Sequence, residues 1–119
     1  MDERGEIAAV QNRTPQFDIG ANTDIMTGGQ KAACCMMLLR AMRPDVLAFD
    51  EISAPEDIEA IRIAAGCGVA LLATAHAQSV GALRCRTLYR ALLDEHIFHR
   101  AVCITRSGGA RFYTLEELP

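Results

Sequence analysis

The sequence contains no Cys-x-x-Cys pair, no cluster of basic residues, no internal repeat and no apolar run near the roughly 18 residues that cross a membrane as a helix. Each absence excludes something. The five cysteines, Cys34, Cys35, Cys67, Cys85 and Cys103, are odd in number, and their spacing fits neither a zinc site nor a disulfide framework. They read as buried, reduced thiols of a protein in a reducing compartment. Twelve Lys and Arg stand against fifteen Asp and Glu, a net charge of −3, with no basic patch. A nucleic-acid partner gripped through its phosphates is excluded on that ground. The first residues, Met1-Asp2-Glu3-Arg4, are charged and lack an apolar core, so no secretory signal is expected there. What is present is 119 residues, half of them hydrophobic and 23% charged. That composition predicts one folded domain over residues 1–119 with a modest core, and a cytoplasmic location.

Turn formers crowd residues 12–30, where Asn12, Pro15, Asp18, Gly20, Asn22, Gly28 and Gly29 predict a long loop. Before it, Glu6-Ile7-Ala8-Ala9-Val10 reads as the end of a strand or the start of a short helix. From Lys31 to Met42 there is no Gly, Pro or β-branched residue, which predicts a helix. It is apolar nearly all round, so burial on more than one face is expected. Arg43-Pro44 ends it. Val46-Leu47-Ala48-Phe49 then reads as a strand buried on both faces of a parallel sheet. Ser53 is the expected cap of a following helix, with Pro55 in its first turn and Glu56 and Asp57 at the positive end of its dipole. Val69–Thr74 reads as a second buried strand, and Ser79 as the cap of a short helix. A helix near Thr87–Glu95 and a strand at Ala101–Thr105 follow, and Ser107-Gly108-Gly109 turns that strand into a hairpin partner. Alternating strands and helices predict the α/β class, with a mainly parallel sheet, flanking helices and a C-terminal β-hairpin.

In parallel sheets, ligands gather beyond the C-terminal strand ends. The polar residues expected there are Asp50 and Glu51 after the first strand, and Thr74 and His76 after the second. An aspartate in such a place suits Mg²⁺ held through water at a phosphate chain, and a glutamate beside it suits orienting or deprotonating an attacking water. A threonine or histidine on the adjacent strand end suits sensing of the terminal phosphate. His96 and His99 read as surface residues.

The run Met36–Ile52 resembles the Walker B region of the secretion ATPases, the RecA-like P-loop ATPases of type II and type IV secretion and pilus machines. Gly68–His76 resembles their histidine box, and Asp2-Glu3-Arg4-Gly5-Glu6 their acidic box. Within that group the chain is similar to the stage III sporulation AA family. The resemblance rests on Asp-Glu-Arg-x-Glu-Ile-Ala at 2–8, Pro-Gln at 15–16, Thr-Asp at 23–24 and Lys-Ala at 31–32. It continues through Met-Met-Leu-Leu-Arg at 36–40, Asp-Glu-Ile at 50–52, Glu56–Arg62 and Ala73–His76. The resemblance implies a partial RecA-like core that hydrolyses ATP with Mg²⁺ to energise a sporulation-specific, secretion-like complex. It implies Asp50 on the Mg²⁺ side as nucleotide ligand, with Thr74 supporting, and Glu51, His76, Glu3 and Glu6 as catalytic residues. It also implies a homo-oligomer, a hexamer in the group, working with a membrane-bound complex at the inner face of the membrane. Arg40 and Arg43 would be charge stabilisers or intersubunit contacts, although a helix dipole alone accounts for them.

The sequence departs from the group in one respect that matters. No G-x-x-x-x-G-K-S/T phosphate loop occurs; the nearest run, Thr27-Gly28-Gly29-Gln30-Lys31, lacks the spacing and the hydroxyl residue after the lysine. The expectation is therefore the C-terminal part of such an ATPase core, with weak or no ATP binding on its own and a tendency to self-associate. The alternative is a catalytically silent α/β module that binds a partner. A small phosphatase-like or response-regulator-like domain using Asp50 fits the spacing poorly.

Overall fold

Lys31–Met42 has the composition of a helix and forms one, α1. The computed structural model describes all residues 1–119. The elements that follow are β1 (Val46–Phe49), α2 (Pro55–Gly66), β2 (Ala70–Ala73), α3 (Val80–Arg84), α4 (Thr87–Asp94), β3 (Arg100–Ser107) and β4 (Ala110–Glu117). The architecture is mixed α/β. Its strands form two separate two-stranded sheets, β1–β2 parallel and β3–β4 antiparallel. The mainly parallel sheet expected from sequence is thus a single parallel pair, because the 101–105 run pairs only with its own hairpin partner. Contacts divide the chain into two units, Met1–Ala75 and His76–Pro119.

In the first unit, β1 and β2 run in register from Val46 opposite Ala70 to Phe49 opposite Ala73. Alternation along the strands puts Leu47 and Phe49 on the covered face, 4% and 2% exposed. Val46 and Leu72 lie on the other face, 57% and 62% exposed. The expectation of a strand buried on both faces is therefore corrected, since helices pack against one face alone. The core beneath is built from Cys34, Cys35 and Leu38 of α1 and Ile58, Ala60, Ile61 and Ala64 of α2. The helix α1 likewise buries one stripe, Lys31, Cys34, Cys35 and Leu38, while Met37 and Met42 stay about half exposed. Its apolar composition overstated its burial.

Two caps differ from expectation. Ala54, not Ser53, is the N-cap of α2. The work is done from inside the helix, where the Asp57 carboxylate accepts hydrogen bonds from the amides of Ser53 (2.9 Å) and Ala54 (3.0 Å). The C-cap of α1 is Arg43, held at φ 47°, ψ 58° in the left-handed region before Pro44. Residues 6–9 form turns, and residues 6–10 hold neither a strand end nor a helix start; the loop through residue 30 is as expected.

In the second unit, Ser79 Oγ accepts from the Ala82 amide (3.1 Å) and starts α3, as expected. Tyr89, Leu92 and Leu93 are the buried residues of α4. The hairpin turns at Gly108 and Gly109, both at positive φ, which glycine adopts without strain. Of the cysteines, Cys34 and Cys35 are buried, Cys103 is half-buried and Cys67 and Cys85 are exposed; all five are free. The expectation that all are buried is corrected for the last two, which sit at the ends of helices. Burial pushes the Cys35 thiol pKa up, and neighbouring Cys67 adds to it, so Cys35 behaves as a neutral core group. No helix is long and apolar enough to cross a membrane.

Candidate functional site

The parallel pairing of β1 and β2 brings two strand ends together on one side of the first unit. After β1 the chain continues as Asp50-Glu51, and the amide of Ile52 donates to the Thr74 carbonyl (3.0 Å), which ties the two ends side by side. On the other side of β1, the Met1 nitrogen donates to the Ala48 carbonyl (2.8 Å) and the Asp50 amide to the Met1 carbonyl (2.8 Å). That is a parallel-type bridge, and it brings Asp2 and Glu3 to the same strand end. Burial of the Met1 amino group lowers its pKa.

Asp50 is half-buried, and one of its carboxylate oxygens accepts from the Glu51 amide (2.8 Å). That bond fixes the side chain at the strand end. Glu51 is also half-buried, with Arg4 3.9 Å from its carboxylate. Thr74 is exposed and contributes its carbonyl to the junction. Glu3 is partly exposed and pairs with Lys31 at 3.1 Å. Glu6 is exposed, and its amide rather than its side chain enters the local structure. His76 opens the second unit, where it is exposed and its carbonyl accepts from the Arg86 guanidinium (2.9 Å).

Three residues at this end carry more of the geometry than the sequence reading assigned to them. Asp2 is buried, and its carboxylate accepts from the amides of Glu6 (2.9 Å), Ile7 (3.1 Å) and Ala8 (3.0 Å). Burial pushes its pKa up, but the three amides together with the charge of the amino terminus hold it below the usual carboxylate value. The turn that presents Glu3, Arg4 and Glu6 is thus folded around Asp2. Lys31 is buried, its side chain 5% exposed. Its ammonium pairs with Glu3 (3.1 Å) and Asp57 (3.6 Å) and donates to the Glu51 carbonyl. Asp57, 7% exposed, completes the set. A signal for Lys31 does exist in sequence. It is the one cation in the stripe 31, 34, 35, 38 that α1 buries, and a buried cation needs anionic partners.

Lys31, the lysine of the run Thr27–Lys31, is thus paired with three protein acceptors. No cluster of three or more His, Cys, Asp or Glu forms a metal cage. Asp50 nevertheless suits Mg²⁺, which is commonly held by one or two carboxylates together with water and substrate phosphates. Chemically, the end of β1 offers one fixed carboxylate, a second carboxylate beside an arginine, and a buried lysine anchoring the peptide that follows Glu51.

No solved structure matches the chain. Among curated proteins, it is 35% identical over 109 residues to a protein of Bacillus subtilis (strain 168) named stage III sporulation protein AA. The match covers 92% of this chain and 36% of that protein, so the chain spans about a third of the length of its curated relative. The model of a family described as "Sporulation stage III, protein AA" matches residues 1–112, a span that includes the acidic turn, Lys31, both strand ends and most of the hairpin. With nearly its whole length matched in this way, the chain belongs to the sporulation stage III, protein AA family.

Proposed function

We propose that this chain carries the hydrolytic half of a Mg²⁺-dependent ATPase site that energises a sporulation-specific, secretion-like complex, acting as a homo-oligomer at the inner face of a membrane. Membership of the family supports a role in sporulation. The observation that carries the chemistry is the junction of β1 and β2, with Asp50-Glu51 at a parallel strand end beside Thr74. In this reading Asp50 is the water-mediated Mg²⁺ ligand on the nucleotide side, and Thr74 supports the γ-phosphate. Glu51 takes the proton of the attacking water, a role for which a half-buried carboxylate at a fixed strand end is suited. Glu3 and Glu6 shape the acidic approach to that water, and His76 senses or polarises the terminal phosphate. Mg²⁺ would supply charge neutralisation at the phosphates.

The test is steady-state, Mg²⁺-dependent ATP turnover in the protein as the cell makes it. Glu51→Gln and His76→Ala are each expected to abolish turnover with little change in the thermal melt. Turnover unchanged in both variants overturns the site assignment. A second reading, a catalytically silent partner-binding module, is favoured by the hairpin face bearing Val102, Ile104, Tyr113 and Leu115, each about 60% exposed. A protein with no turnover that still supports sporulation as Glu51→Gln would establish it.

A further inference from the structure

The buried lysine of α1 stands where four segments meet. Its ammonium reaches Glu3 of the acidic turn (3.1 Å), Asp57 in the first turn of α2 (3.6 Å) and the Glu51 carbonyl after β1. Asp57 in turn holds the amides of Ser53 and Ala54, the residues that follow the Asp50-Glu51-Ile52 strand end. The chain from Asp50 to Asp57 is therefore fixed at both ends by one cation. It is bound at the Glu51 carbonyl, and again through the carboxylate that folds the start of α2.

Desolvating an ammonium is expensive, and a methionine or leucine there would pack in the same space without that cost. The remaining residues of the α1 stripe, Cys34, Cys35 and Leu38, are apolar. A lysine in this place supplies what a hydrophobic residue lacks, a directional link from a helix to a peptide carbonyl and two carboxylates. Its length also matters. A point charge on a flexible stem can sit among three acceptors from three directions, whereas a planar guanidinium demands a fork-shaped arrangement.

We propose that Lys31 is the positioning residue of the strand-end site, setting the orientation of Glu51 and the placement of Glu3 without itself touching the nucleotide. This rests on the reading of Glu51 as the hydrolytic carboxylate. The link from Lys31 to Glu51 runs through the Glu51 peptide, so its loss rotates the carboxylate relative to the reacting water rather than removing it. Displacement of a reacting group by about 1 Å costs on the order of 100-fold in rate.

The experiment compares Lys31→Arg, Lys31→Met and Glu51→Gln in the protein as the cell makes it, measuring kcat and KM for Mg²⁺-ATP alongside thermal melts. Lys31→Arg retains the charge and the fold but misplaces the contacts. Its kcat is expected to fall by about 10-fold to 100-fold with KM for ATP within about twofold of wild type. Lys31→Met is expected to fall further in kcat per folded molecule. A merely structural lysine gives a different pattern: melting temperatures drop while kcat per folded molecule stays at the wild-type value in Lys31→Arg. That pattern, or equal losses in binding and turnover, overturns the proposal. Failure of the parent reading is distinguishable, because Glu51→Gln would then leave turnover unchanged as well.

Discussion

Three backbone amides converge on Asp2, and the consequence is a pH dependence with a definite sign. Its folded pKa lies below its unfolded value near 3.8. The stabilisation it provides is therefore complete above about pH 4 and is lost as the pH falls through the lower folded value. Asp2→Asn is expected to remove part of the acid destabilisation below pH 4 and to cost about 1–3 kcal/mol at neutral pH, since buried amide donors lose a charged acceptor. Thermal melts from pH 7 to pH 3 check both effects; an unchanged acid limb contradicts the role given to Asp2. Residues of this kind explain what was legible in the sequence and what was not. Asp50 and Glu51 close an apolar strand run, and that position alone marks them. Lys31 acts through Glu3, Glu51 and Asp57, partners that only the tertiary fold brings close, whereas Asp2 acts through the amides of an irregular turn that no sequence pattern marks. Glu6 lies on the exposed side of the turn that Asp2 organises.

The elements were more legible than their pairing. The bounds of α1 follow from an unbroken run of helix formers and a proline after its cap, because these are local effects. Which strand joins which sheet is a non-local outcome. The alternating, turn-flanked run at β3 fits a hairpin as readily as a parallel strand, and the two-glycine turn decides for the hairpin. Arg43 holds the left-handed conformation that glycine adopts without strain, so Arg43→Gly is expected to raise the stability of the first unit by about 0.5–1 kcal/mol, read from a urea midpoint. A lower midpoint contradicts the cap assignment. Phe49 is 2% exposed under the helices, and Phe49→Ala is expected to cost about 3–5 kcal/mol in the same measurement. A loss under about 1 kcal/mol shows that β1 is not seated on this core.

The whole molecule leaves much apolar surface uncovered. In the first unit the outer face of the parallel pair exposes Val46 and Leu72. In the second, cross-strand pairing sets Val102 opposite Leu115 and Ile104 opposite Tyr113, and all four are exposed. Patches of that kind drive association. The chain is expected to associate with rising concentration in sedimentation velocity, and Ile104→Lys to weaken that association with little change in the melt; a monomer throughout the micromolar range contradicts it. At this scale the family was legible, because the order and spacing of short motifs survive where no single motif is specific. The degree of burial was not legible, since hydrophobicity fixes what can be covered and not what covers it. The account as a whole turns on Glu51, and single-turnover cleavage of bound ATP tests it most directly. Protein as the cell makes it is loaded with ATP, the reaction is started with Mg²⁺, and the quench is followed in wild type and Glu51→Gln. The account predicts retained ATP binding and a cleavage rate lower by about 100-fold or more in Glu51→Gln. Equal cleavage rates would contradict it.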